Sequence, residues 1–437
     1  MPRILIIGAN FAGIAAARAI PASLDVTVVD RSGSFEWRPN IHELVSRHRA
    51  GASLRVDRGR MVRKAGHRFV RAEVRDLDPA RGVAVTDKGR ELRFDACIVA
   101  TGGVWDDRGV KGAARHAMPF KSIADCAAIG KKLAELARAA RCDTGAAQRD
   151  GGQKATALRR APSRALGKPR ASFNVVIVGG GIEGVECLGE VLRCYRHHAG
   201  LRVHVIDAAP RLMAGSSRLV DAAVRAHCAS LPVEFHLSTR VTAVRPGGVG
   251  LVGKGRAHAL LHADVVIWNG GARPSPLLVD SGLADDQRQW AAVTTALQSK
   301  RCANVFVAGD AAGLPRPIAK QAYFALQTGA HAGLSVARFV AGLAPLAFHP
   351  ASKPMLVAFG DLDTFLVAET MVLAGTALAL LKEGMLQATL AELDPPTDTD
   401  AAFALGLRLL SGLRAAALPE LFSIERLLRL PGIRLLR

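Results

Sequence analysis

Two stretches of this 437-residue chain repeat one pattern. Residues 3–20 read RILIIGANFAGIAAARAI, and residues 174–192 read NVVIVGGGIEGVECLGEVL. Each begins as an aliphatic, β-branched run suited to a buried parallel strand, passes through a glycine turn and opens a helix. Each is followed by a second apolar run ending in an acid, DVTVVD at Asp30 and RVHVID at Asp207. From first glycine to acid the separations are 30 − 8 = 22 and 207 − 179 = 28 residues. Both agree with a compact βαβ unit whose acid lies roughly 20 residues past the turn. One such motif could merely pack a helix on a strand. Five features in the same order, twice, constrain the chain to an α/β fold with two dinucleotide-type cradles.

A pyrophosphate needs close main-chain N–H donors and the positive end of a helix, and glycine permits the approach because it has no Cβ. Gly179, Gly181 and Gly184 complete G-x-G-x-x-G in the second unit. The first has Gly8 and Gly13, with Asn10 at the middle place; asparagine tolerates unusual backbone angles better than most residues. Asp30 and Asp207 stand where a carboxylate accepts hydrogen bonds from ribose hydroxyls. An acid there also repels a 2′-phosphate, so Asp207 favours NADH over NADPH, with Arg211 nearby acting against that preference.

Three more strands ending in small-residue turns are expected at GRELRFDACIVATGG (89–103), HADVVIWNGGARP (262–274) and NVFVAGDAAG (304–313). Residues 141–172, rich in Arg, Ala and Gly, read as a basic mobile linker or surface loop. No segment reaches the roughly 18 apolar residues of a membrane span. The longest apolar run, TMVLAGTALALL (370–381), reads as a buried helix. After a break at DPPTDTD, Leu421, Ile424 and Leu428 share one helical face, away from Glu425, Arg426 and Arg429. That is an amphipathic tail suited to membrane contact, with packing on another subunit or domain as the alternative.

The formal charge of +20 admits three partners: nucleic acid, an anionic membrane surface or anionic cofactors. Aromatic residues make up only 5%, and no basic stretch is interleaved with them, so nucleic acid is not expected. The seven cysteines form no C-x-x-C pair and suggest reduced thiols in a cytosolic setting. The apolar run ILIIG passes straight into the glycine turn and does not read as a signal peptide. His42, His116 and His236 each read as lone residues without metal-ligand spacing, and no metal is expected.

Taken together, the two cradles, IVATGG and VFVAGDAA resemble the flavoproteins with two dinucleotide-binding domains, over residues 1 to about 345. Within this FAD-dependent pyridine nucleotide-disulfide oxidoreductase superfamily the chain resembles the type II NADH dehydrogenases, the non-pumping NADH:quinone reductases. The likeness is carried by FEWRPNIHEL (35–44), GVKGAARHAMPFKSIADC (109–126), GGGIEGVECLGE and VIWNGGARPSPLL. It implies two Rossmann-like domains and a C-terminal α+β and amphipathic helical region. The FAD domain would be split over 1–115 and 295–345, with the NAD(H) domain inserted at 116–294 and the C-terminal region at 346–437. It implies that Gly8, Asn10, Gly13, Asp30, Thr101, Gly102, Gly309 and Asp310 bind FAD, Asp310 at the ribityl chain. Gly179, Gly181, Gly184 and Asp207 would bind NADH, with Glu186 near the nicotinamide rather than a plain surface charge.

The family's quinone-facing A-Q-x-A-x-Q is matched by AYFALQTG (322–329), in which Tyr323 replaces the first Gln and Gln327 remains. Gln327 would donate to a quinone carbonyl; Tyr323 would donate too, or narrow the pocket and change the acceptor. KPMLVAFGDLDTFLV resembles the family's later strand pair, followed by a helix holding Gly375 and Lys382. The implied reaction is hydride transfer from NADH to FAD, then two electrons to a quinone or other small acceptor. The implied setting is the cytoplasmic face of the cell membrane, with a homodimer left open. Three readings stand beside it: a soluble NAD(P)H-dependent reductase of another acceptor, a sulfide:quinone reductase-like protein and a redox-sensing binding module. Tyr323 best supports the first. The second is disfavoured, because no cysteine follows the GD segment.

Overall fold

The computed structural model describes residues 1–144, 172–253, 259–351, 353–395 and 431–437. The first glycine unit builds a parallel sheet from β1 (Arg3–Ile7), β2 (Asp25–Asp30), β3 (Arg68–Arg71) and β4 (Ala96–Val99), with α1 (Phe11–Ala19) crossing from β1 to β2. Ile4 to Ile7 and Ala96 to Val99 are all buried, as a strand covered on both faces requires. Each large aliphatic there contributes about 1.5–3 kcal/mol of burial.

The chain then leaves this sheet. β5 (Met118–Pro119) leads into α2 (Ile123–Thr144), so the first four residues of the expected linker, 141–144, belong to a helix instead. The remainder, 145–171, lies outside the described residues. The second unit follows: β6 (Phe173–Val178), α3 (Ile182–Tyr195), β7 (Leu201–Ile206), β8 (Val233–His236) and β9 (Val265–Trp268). They form a second all-parallel sheet in the order β5-β9-β6-β7-β8. A three-stranded meander of Thr239–Arg245, Gly248–Gly253 and Ala259–His262 covers one side. β10 (Val305–Val307) returns to the first sheet beside β4, so residues from before and after the second sheet complete one core.

After β10, α4 (Ala322–Val340) packs on α1. The alanines of α1 present no long side chains, and the backbones nearly touch: a Cβ on Gly329 would lie 2.1 Å from the Ala12 carbonyl oxygen. The C-terminal sheet is antiparallel, with β11 (Met355–Phe359), β12 (Asp363–Val367), β13 (Val372–Ala374) and β14 (Arg434–Leu436) in that order. It lies against α3, where a Cβ on Gly189 would meet the Gly360 nitrogen at 2.4 Å.

Three sequence expectations fail here. The run 370–381 is not one buried helix. Its β-branched Val372 starts strand β13, Gly375 sits in the turn that follows, and only from Leu378 does α5 (Leu378–Leu393) begin. Lys382 is on that helix, Gly375 is not. The hairpin-like pairing with β12 wins over the apolar count. Likewise 89–103 is not one strand: Glu91–Arg93 pairs in a separate hairpin sheet, and Ala96–Val99 enters the main one. The tail positions Leu421, Ile424 and Leu428 lie outside the described residues. The last segment, Arg434–Leu436, is a strand rather than part of an amphipathic helix.

Candidate active site

Both cradles are built to the same plan. β1 ends at Gly8, whose φ is +93°, and β6 ends at Gly179 with φ +100°. A Cβ would come within 2.5 Å of the Ala100 carbonyl oxygen at Gly8, and within 2.6 Å of the Asn269 oxygen at Gly179. Five residues on, a Cβ at Gly13 would lie 1.8 Å from the Gly8 oxygen, and one at Gly184 1.8 Å from the Gly179 oxygen. These contacts draw the helix start tight against the strand end, leaving the first main-chain N–H groups of the helix facing the turn. At Gly181 a Cβ would meet nothing within 4 Å, which is the open side a phosphate needs.

The acids brace these turns. Asp30 accepts from Ala9 N and Ser32 N, each at 2.8 Å, and pairs with the buried Arg58 guanidinium. Asp207 accepts from Gly180 N and Ala209 N, the latter at 2.7 Å. A carboxylate has about four acceptor positions, so each keeps capacity for a ribose hydroxyl. Asn10 works differently from its sequence reading. Its φ is −95°, an ordinary value, and its side chain instead clasps the main chain of Glu36 through both amide atoms. Arg211 is also spoken for: its guanidinium donates to the Met213, Ala214 and Ser216 carbonyls and closes its own loop.

Each cradle carries a buried polar group that lacks a partner among the described residues: Thr101 Oγ1 in the first and both side-chain atoms of Asn269 in the second. They follow equivalent strands, β4 and β9. An orphaned buried polar atom costs about 1–3 kcal/mol, and a ligand with hydroxyl or amide groups would relieve it. Gly102 is left-handed at φ +64° with open space around it. Gly309, at φ +66°, donates its N–H to Thr328 on α4 at 2.9 Å. Beside it, a cleft of about 210 Å³ is lined by Asp310, Lys320, Trp290 and Phe324. Burial raises the Asp310 carboxyl above its usual range, against the opposing pull of Lys320. Burial also lowers Lys320 to about 8. These residues fit a dinucleotide in each cradle.

Residues 2–329 match the pyridine nucleotide-disulphide oxidoreductase family. The chain belongs to that family. Among similar proteins is a type II NADH:quinone oxidoreductase of Staphylococcus epidermidis, 23% identical over 400 residues, covering 87% of this chain and 93% of the relative. In fold, the chain resembles NDH2 of Plasmodium falciparum, solved in complex with NADH, with TM-score 0.73, 14% identity and coverage of 89% and 94%. It resembles the sulfide:quinone oxidoreductase of Aquifex aeolicus equally, with TM-score 0.73, 15% identity and coverage of 100% and 97%. The backbone therefore does not separate these two chemistries; the side chains must.

Further along the chain, α4 brings Tyr323 and Gln327 together. Gln327 Nε2 donates to the Tyr323 hydroxyl, and Gln327 Oε1 is buried without a partner among the described residues. Lys353 Nζ lies 4.2 Å from the Tyr323 ring centre. Glu186 is no surface charge. It is buried where α3, the loop carrying His42 and β11 meet, accepting from Lys382 Nζ at 2.5 Å and Ala358 N at 3.2 Å. His42 Nδ1 lies 3.4 Å away. Burial raises the Glu186 carboxyl, with Lys382 opposing, and holds His42 well below the usual imidazole range.

Sequence reasoning missed Lys382 as a partner, Glu190, Arg58 and Asn269, whose partners or orphaned state arise across long separations. Glu190, one turn beyond Glu186, is fully buried and accepts from Ser46 Oγ. Burial pushes it up to about 7. The folded state thus holds a proton that the unfolded chain releases in the ordinary carboxylate range. Stability is full below that range and falls as pH rises toward about 7, by on the order of 3 kcal/mol. Glu190→Gln keeps an acceptor for Ser46 and removes the charge. Its melting temperature is expected to exceed the parent's at about pH 8 and to match it at about pH 4.5, and thermal melts at both values check this.

Proposed function

We propose that this chain is an FAD-dependent NADH dehydrogenase that passes two electrons to a quinone without pumping protons. The observation that carries the reading is the pair of matched cradles, each closed by a glycine that tolerates no Cβ and each ending in a braced acid. One holds FAD and the other receives NADH. The relatives named for NADH:quinone oxidoreduction support it, as does the lack of any cysteine after the GD segment that a sulfide-oxidising relative would require.

Bound FAD supplies the hydride acceptor and carries the redox chemistry. The protein's part is positioning and charge. Gly8 and Gly13 admit the flavin diphosphate to the N-terminus of α1, and Gly181 and Gly184 admit the nicotinamide diphosphate to that of α3. Asp30 and Asp207 take ribose hydroxyls, Thr101 Oγ1 and Asn269 gain their missing partners, and Asp310 takes the ribityl side. Glu186, steadied by Lys382, orients the reacting end. The Tyr323 hydroxyl and the remaining Nε2–H of Gln327 are the donors for a quinone carbonyl, and Gln327 Oε1, unsatisfied and buried, accepts only from a hydroxyl of the reduced product. The proposed domain limits are 1–115 with 295–345 for FAD, 116–294 for NADH and 346–437 for the C-terminal region.

Peripheral membrane contact, on the cytoplasmic face, belongs to the same proposal. No helix among the described residues is long and apolar enough to cross a membrane. Yet α5, whose Lys382 reaches Glu186, exposes Leu380 at 77% and Met385 at 41%, and the sequence that follows it is rich in arginine. Apolar side chains near arginines suit an anionic lipid surface, each arginine contributing about 1 kcal/mol. A homodimer is compatible with these faces.

Steady-state NADH oxidation with a short-chain quinone tests the reading. Turnover only with soluble acceptors would favour a soluble reductase, and negligible turnover with any acceptor a binding module. NADPH should be the poorer donor by about 10- to 100-fold in kcat/KM, because a carboxylate at Asp207 would repel a 2′-phosphate and Arg211 is committed to its own loop. Equal rates with the two donors would count against Asp207 as the selecting group.

A further inference from the structure

The sheet that holds the second cradle carries another cluster, outside the site described above. His204 lies on β7, and Glu234 and His236 lie on the neighbouring edge strand β8. The parallel register sets His204 opposite Glu234 and Ile206 opposite His236, so all three side chains share one face of the sheet. Their ligand atoms converge. His204 Nδ1 is 3.1 Å from His236 Nε2 and 3.5 Å from Glu234 Oε2, and His236 Nε2 is 3.6 Å from Glu234 Oε1.

A tetrahedral ion with N and O ligands at about 2.0–2.1 Å holds those atoms roughly 3.3–3.4 Å apart. The observed separations lie around that length, with the two imidazoles reaching opposite oxygens of the Glu234 carboxylate. Both imidazoles are nearly buried, which fixes their rings, while Glu234 is 64% exposed and leaves a way in from solvent. The cation on the same strand does not compete: Arg202 turns its guanidinium back onto the Ala199 and Leu201 carbonyls.

We infer that His204, Glu234 and His236 form a three-ligand site for a borderline divalent cation of the Zn²⁺ class, with water at the fourth position. Two imidazoles and a carboxylate suit that class better than Mg²⁺ or Ca²⁺, which prefer all-oxygen shells. The ion would clamp β8 to β7 directly beside the second cradle. Asp207 N donates to the His236 oxygen at 3.0 Å, and Thr239 N donates to the Asp207 oxygen at 2.9 Å. The assignment stands on the cluster's geometry and does not depend on which dinucleotide or acceptor the protein uses.

Cobalt is the probe. The full-length protein, stripped with a chelator, is expected to bind one equivalent of Co²⁺ with difference bands of a four-coordinate N/O site and no thiolate charge-transfer band. Zn²⁺ should displace it and raise the melting temperature. The double change His204→Asn with His236→Asn should abolish uptake. The exposed Glu234→Gln, which leaves the core untouched, should weaken it at least about 10-fold. His116→Asn should bind as the parent does. No uptake, a thiolate band, or an undiminished equivalent in the double variant and in Glu234→Gln would overturn the assignment.

Discussion

Gly184→Val is expected to give a yellow protein that NADH cannot reduce. The glycine sits 1.8 Å, measured from its would-be Cβ, from the Gly179 oxygen, against the 3.5–4.0 Å at which such atoms rest. To accept a side chain, the start of α3 must move away from β6, and the N–H groups that would grip the nicotinamide diphosphate move with it. The loss should reach at least about 100-fold in kcat/KM, or about 2.7 kcal/mol of binding and orientation. Flavin content should stay at the parent level, because the first cradle shares none of these atoms. Gly13→Val, with the same 1.8 Å approach to the Gly8 oxygen, should show the reverse and purify colourless. Circular dichroism separates both outcomes from general unfolding. Loss of flavin from both variants, or from neither, would refute the division of labour between the cradles.

Lys382→Met should cost about 3 kcal/mol of stability at neutral pH. The Glu186 carboxylate is buried, and Lys382 is the cation bonded to it; removing one member of a buried pair typically costs 3–5 kcal/mol because the other charge is stranded. Burial already raises the Glu186 carboxyl, and without Lys382 it should rise further, so the penalty grows as pH rises above the ordinary carboxylate range and the stranded acid is forced to ionise. Adding Glu186→Gln should recover most of the loss, because an amide accepts from Ala358 N without carrying charge. Chemical denaturation of the parent, both single variants and the double variant measures the coupling. An additive cycle would mean that the pair contributes nothing.

What could be read along the chain was local. Gly8, Gly13, Gly179 and Gly184 announce their turns because each requirement is met within one strand–turn–helix unit. Asp30 and Asp207 follow from the same unit, although their bracing of Ala9 and Gly180 was visible only in three dimensions. The parts that escaped depend on distant partners. Glu186 and Lys382 are 196 residues apart, and Ser46 and Glu190 are 144 apart, so no spacing rule could join them. His204 and His236 meet only because β7 and β8 are neighbours in the sheet, which is why His236 read as solitary. Asn10 was read for its backbone tolerance, whereas its side-chain hydrogen bonds to the Glu36 main chain do the holding. The run 370–381 misled because apolar length does not distinguish a strand followed by a helix from a single helix.

Hydride transfer from a replaceable donor in one cradle to a resident flavin in the other is tested most directly by anaerobic rapid mixing with NADH. The account expects the visible flavin absorbance to bleach within a single turnover, and to return on adding a short-chain quinone at a rate no slower than steady-state turnover. A protein that binds no flavin, or a flavin whose absorbance NADH leaves unchanged, would contradict it.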